Sequence, residues 1–189
     1  PAAAGTRGGQ GGENTTTGAR TRPSGATLHA SGRTGGGTIR IGGDLQGKGT
    51  LPHARATIVD RNTRISADAT DSGNGGKIIL WSDVFTGFGG LIRARGGANG
   101  GDGGFAEVSS KGVLSYDGRT ILTAARGRFG TLLLDPYDIY IETGPTTNGS
   151  LVGSPPSLDF TPTGPNSVIN VATLQDALAT ANVTIQTGG

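Results

Sequence analysis

The chain has 189 residues, room for one domain with a buried core, yet only 33% of them are hydrophobic. Its 37 glycines follow no period of three, so they must serve turns between many short strands, which argues against both a collagen helix and a helical bundle. Cys and Met are absent, which excludes disulfides and thiolate metal sites, and the 16 basic and 14 acidic residues are interspersed rather than blocked.

With no Lys/Arg cluster beside exposed aromatics, nucleic-acid binding is not expected. No run approaches the roughly eighteen apolar residues of a membrane span, and no signal-peptide pattern opens the chain. Membrane insertion is therefore not expected, and any export address should lie outside this segment.

Residues 1–26 are mostly Gly, Ala, Thr, Arg and Asn without a sustained apolar period, and read as irregular or as the edge of a preceding coil. From residue 27 to 141 an internal repeat takes over. An apolar residue, a small or polar one and Ala recur at Leu28-His29-Ala30, Ile65-Ser66-Ala67, Ile92-Arg93-Ala94 and Leu122-Thr123-Ala124, the starts 37, 27 and 30 apart. After each comes a glycine-led strand: Gly37-Thr38-Ile39-Arg40-Ile41, Gly76-Lys77-Ile78-Ile79-Leu80, Gly104-Phe105-Ala106-Glu107-Val108 and Gly130-Thr131-Leu132-Leu133-Leu134. A weaker third strand is read between them, over residues 59–65 and 116–122, with Asp60 and Asp117 at matching turn positions.

Three short strands and three turns in about 27 to 30 residues describe one coil of a three-faced parallel β-helix, here of about four coils. The longer first interval implies some ten extra residues, around 44–55, looping out from a corner. Side-chain alternation then stacks Ile39, Ile78, Ala106 and Leu132 in one inward ladder, with Ile41, Leu80, Val108 and Leu134 in the next. Arg40, Ile79, Glu107 and Leu133 point outward, so no acidic pair is expected to stack on that face.

Residues 142–167 carry five prolines and read as an excursion between elements. A strand at Val168-Ile169-Asn170-Val171, a short helix over residues 173–180 with Thr173 and Asp176 as a capping box, and a strand over 182–188 follow as further β-helix or a cap. A chain that starts without Met and ends on a strand with no polar capping repeat is expected to be a piece of a longer protein.

No catalytic, cofactor-binding or metal-ligating residue is assigned. Gly42-Gly43-Asp44-Leu45-Gln46-Gly47-Lys48 spells most of a phosphate-binding loop, but Gly49 stands at the Ser/Thr position and Pro52 follows where a helix should run. Residues 96–104 lack the Gly-Gly-x-Gly-x-Asp spacing of calcium nonapeptides. His29 and His53 have no second ligand at metal spacing. Asp60 and Asp117 lie two coils apart and serve their turns, and Trp81 is read as a corner packing residue.

The run Gly75 through Asp83, the segments Ala94-Arg95-Gly96-Gly97 and Gly101 through Ser109, and Gly130 through Pro136 resemble the filamentous haemagglutinin family, exoproteins of Gram-negative two-partner secretion systems. Gly42 through Gly47, Thr57-Ile58-Val59-Asp60 and Ala172 through Leu178 fit the same pattern, so the resemblance covers roughly residues 25–189. It implies an all-β fold, a right-handed parallel β-helix with an irregular N-terminal segment and a C-terminal extension holding one short helix. It also implies export through an outer-membrane β-barrel transporter, a secreted or cell-surface location, and attachment to a host receptor or glycan that the residues do not identify. Some relatives act in haemolysis, haem capture or contact inhibition.

The family's secretion domain is not recognisable, so on this resemblance the segment is expected to lie downstream of it. The reading that follows is a non-enzymatic structural and display segment of a surface adhesin. The contrasting one is a carbohydrate-active β-helix of the lyase or glycosidase type, for which acidic or basic side chains should converge on one outer face.

Overall fold

The computed structural model describes residues 9–145, 150–154, 157–161 and 167–187. The chain winds as a parallel β-helix of about five turns, a strand on each of three faces per turn. The first coil comprises β1 (Glu13–Thr16), β2 (Arg20–Thr21) and β3 (Thr27–His29); the second β4 (Thr38–Ile41), β5 (Ala56–Val59) and β6 (Arg64–Ser66). The third holds β7 (Lys77–Leu80), β8 (Phe85–Phe88) and β9 (Leu91–Arg93), and the fourth β10 (Phe105–Ser109), β11 (Val113–Tyr116) and β12 (Arg119–Ile121).

The last coil is modified. After β13 (Thr131–Asp135) and β14 (Ile139–Glu142) comes an antiparallel hairpin, β15 (Ser150–Ser154) and β16 (Ser157–Thr161). Then β17 (Ser167–Asn170) pairs with β14, α1 (Val171–Leu178) caps the third face beyond β12, and β18 (Asn182–Ile185) returns to the first face. Residues 9–26, read as irregular or an edge, thus include the strands of a preceding coil.

The first sheet runs β1-β4-β7-β10-β13-β18, all parallel. Its register stacks Ile39 on Ile78, Ala106 and Leu132, and Ile41 on Leu80, Val108 and Leu134, as the alternation requires. All eight are fully buried, and Val183 and Ile185 extend the ladders on β18. On the second sheet Val59, Phe88 and Tyr116 stack inward, the Phe88 and Tyr116 rings 5.5 Å apart.

The third sheet corrects the repeat. Leu28, Ile65 and Ile92 stack not on Leu122 but on Thr120. The glycine-led corner fixes the count: Gly37, Gly76 and Gly104 donate N–H bonds to Ala30, Ala67 and Ala94, and Gly130 donates to Leu122. Leu122 therefore occupies the alanine position, two residues away from where the apolar-x-Ala pattern sets it. The inward Thr120 is tolerated because its hydroxyl accepts from Tyr116 Oη at 2.9 Å, leaving neither buried group unpaired. The third-strand assignment shifts as well, since 59–65 and 116–122 each contain a turn and the strands begin earlier.

Glycine is obligatory at that corner for a packing reason. A Cβ on Gly76 would press into the Gly37 carbonyl oxygen, one on Gly104 into that of Gly76, and one on Gly130 into that of Gly104. Coil-to-coil ion pairs fasten the other corners. Asp68, buried, accepts from both Arg93 (2.7 Å) and Arg95 (3.0 Å), while Arg33–Asp71, Arg128–Asp102 and Arg61–Asp117 clamp exposed turns. Helix α1 is capped by Asn170, whose side-chain oxygen accepts from Ala172 N, and it begins two residues before the expected Thr173.

Candidate functional site

Residues 42–55 join β4 to β5, and they do not loop out from the corner. They fold back as a strap across the outer side of the first sheet. Asp44 starts a single 3-10 turn at Leu45–Gly47, its carboxylate accepting from Leu45 N (2.8 Å) and from Arg40 Nε (3.2 Å). Gln46 takes φ 53°, the one non-glycine residue with positive φ among those described, and this aims its backbone N–H at the sheet. Gly47 follows at φ 62° against the Trp81 indole, where any Cβ would collide with the ring.

Beyond Arg40 the outward ladder is consequently buried. Ile79 and Glu107 have no exposed surface and Leu133 almost none. Gln46 N–H reaches both Glu107 oxygens, at 3.0 and 3.1 Å. The Gln46 amide nitrogen extends further, to Asp135 Oδ2 at 3.5 Å and Gln186 Oε1 at 3.2 Å. Burial pushes the Glu107 carboxyl up to about 7; the Ser109 hydroxyl and Gln46 N–H pull against this, and Asp135 and Asp44 reinforce it. Ser109 Oγ lies near enough to favour the charged carboxylate but meets no partner at hydrogen-bonding geometry.

Two acids, Glu107 and Asp135, thus sit near one another on an outer face where none were expected to pair. Register alone misses this, because Asp135 belongs to the next outward row and the strap supplies the burial. An acid with a pKa near 7 beside a second carboxylate has the raw chemistry of general acid catalysis. Its geometry opposes that use: Glu107 is sealed from solvent and both oxygens face the strap.

Beside the latch lies a pocket of about 260 Å³ lined by Gln46, Gly47, His53, Trp81, Asp83, Lys111 and Asp135. Trp81 is 5% exposed, packed by the strap and by His53, whose ring centroid is 4.4 Å from its own. A larger cleft, about 610 Å³, follows the glycine corner past Lys77, Phe105 and Phe129. Its acid, Asp102, is already consumed by Arg128.

The remaining candidates resolve into structural roles. The phosphate-loop-like run forms the strap, with no helix behind it. Asp60 caps its own turn through Asn62 N and Thr63 Oγ1 and ties the previous coil through Ser24 and Gly25; these bonds, Ser24 first, hold it at about 2. Asp117 is paired with Arg61. His29 lies half-buried on β3. Among the described residues no group of three His, Cys, Asp or Glu could hold a metal ion, and no helix is long and apolar enough to cross a membrane.

The fold places the chain among the parallel β-solenoids, an architecture shared by enzymes and structural proteins. No protein-family model matches the chain, and no curated protein matches it.

Proposed function

We propose that this chain is a structural and display segment of a large secreted bacterial surface adhesin of the filamentous haemagglutinin type. The parent would leave the cell through an outer-membrane β-barrel transporter and attach to host cells or surfaces. The observation that supports this reading is how the outer carboxylates are spent. Asp60, Asp68, Asp71, Asp102 and Asp117 all bind turns or neighbouring coils, and Glu107 is buried under the strap. Carboxylates used in this way hold coils together.

The contact surface on this reading includes the exposed crest of the strap, Lys48, Gly49 and Thr50. Beads coated with the chain should adhere to epithelial cells, and the K48E/T50E variant should lose adhesion with its melting temperature unchanged. Adhesion retained in that variant would remove the strap from the contact surface, and absent adhesion by the wild type would remove the reading.

The carbohydrate-active alternative draws support only from Glu107 beside Asp135. It requires that the chain release reducing ends or unsaturated uronides from polysaccharide, and that E107Q abolish the release.

A further inference from the structure

Three polar side chains around the small pocket stand apart from their equivalents elsewhere. Asp44, Asp60, Asp68, Asp71, Asp102 and Asp117 each accept at least one hydrogen bond of 2.9 Å or shorter. Asp83 and Asp135 do not: their closest side-chain partners are His53 Nδ1 at 3.4 Å and Gln46 Nε2 at 3.5 Å. Lys111, which also lines the pocket, makes no ion pair or side-chain hydrogen bond with any described residue. Asp83, Asp135 and Lys111 thus line one 260 Å³ space with no ion pair among them. The third wall is the Trp81 indole with the His53 ring against it.

A ligand that fits must supply both signs of charge. A lone cation would leave Lys111 unmatched, a lone anion would leave both aspartates unmatched, and a neutral hydroxylated ring could hydrogen-bond these groups but would neutralise none of them. The volume falls below the roughly 300–1,000 Å³ usual for drug-sized ligands. We propose that this pocket binds a small zwitterion, a free α-amino acid with a short apolar side chain. Its ammonium is held by Asp83 and Asp135, its carboxylate by Lys111, and its side chain by the Trp81 and His53 rings. Ser109, whose hydroxyl has no well-formed hydrogen bond, is the register partner of Asp135 on the neighbouring strand and adds a buried polar group beside the site. The proposal goes beyond the adhesive reading and is independent of it, since a shaft requires no such site.

Trp81 is the only tryptophan in the chain, so intrinsic fluorescence reports on the pocket directly. The whole chain is titrated with glycine, L-alanine and L-valine, and with N-acetyl-L-alanine and L-alanine methyl ester, each of which lacks one charge. Saturation-transfer NMR on the same samples detects binding that leaves the indole unchanged. Saturable binding of free alanine is expected, at least tenfold tighter than either blocked form. In K111M the free acid and its ester should bind equally; in the D83N/D135N variant the free and N-acetylated forms should. The proposal is overturned if no free amino acid gives saturable binding by either method, if blocked and free forms bind alike to the wild type, or if methyl α-glucoside binds in preference to all of them. Because Lys111 is exposed, K111M keeps the test decisive even if the double variant fails to fold.

Discussion

The inner side of the first sheet and the strapped middle of its outer side are both dry, and they are dry for different reasons. Inside, Ile78 and Leu80 on β7 meet the same kind of residue on the coil above and below, so burial is a property of the repeat. Outside, Ile79 and Glu107 are covered by a single unrepeated segment, residues 42–55, anchored by Gln46. From β4 to β18 the inner side is accordingly apolar, and only β1 sets polar residues, Asn14 and Thr16, in the same rows. The outer side accepts an ionisable group, because a backbone N–H is delivered to it. Repetition makes a core that tolerates no charge, and a strap makes one whose stability depends on pH.

The largest test of that contrast is L132D. An inward carboxylate with no partner should unfold the chain, losing the cooperative circular-dichroism melt; an unchanged melt would refute the inward ladder. I79A comes next, with an expected loss of about 2–5 kcal/mol in denaturant unfolding, the cost of a core truncation although the residue faces outward. A loss typical of surface positions would mean that the strap is not closed in solution.

The pH profile follows. Folding raises the Glu107 carboxyl from 4.5 to about 7, so its protonated form is favoured and its contribution is complete below about pH 4.5. That contribution is lost as pH climbs through 7, by up to roughly 3 kcal/mol. E107Q cannot ionise, so it should flatten this limb and exceed the wild type in melting temperature at pH 8. On the acid side the signs reverse. Asp60, Asp68 and Asp102 are held low, so what they contribute is lost as pH falls below about 4, and maximum stability is expected near pH 4–5. The smallest effect is that of R61A, which removes an exposed ion pair and should cost about 0–1 kcal/mol.

Much of the inner side was legible in the sequence because period-2 alternation and glycine-led turns recur in every coil. The exception is informative. Leu122-Thr123-Ala124 copies the apolar-x-Ala pattern, but the corner hydrogen bond from Gly130 puts Leu122 in the alanine slot, and a threonine fills the place the pattern reserves for an aliphatic residue. A polar residue satisfied by a neighbouring tyrosine is invisible to a hydrophobicity reading. The β8 segment, Phe85-Thr86-Gly87-Phe88, was hidden for a similar reason, its apolar period broken by Gly87 and followed by two more glycines. At the helix, Asn170 captures the cap that Thr173 seemed to offer, because the turn out of β17 already presents its side chain to Ala172 N.

The candidate site was almost illegible. Asp83, Lys111 and Asp135 come from three coils, and only the path of residues 42–55 gathers them beside Trp81. What a sequence can supply is the warning sign: an insertion of about ten residues holding Asp, Gln and closely spaced glycines breaks the repeat at this corner.

The strap also bears on how the molecule meets force. Hydrogen bonds between successive coils run along the helix axis, so tension applied at one end would peel coils away singly, each loosening the next. Gln46 departs from the second coil, grips Glu107 on the fourth, and touches Asp135 on the fifth and Gln186 just past β18, one layer further. It works as a tie bar: the fourth and fifth coils cannot separate from the second until that grip has let go, and pulling must overcome several weak links together where it would otherwise break them in turn.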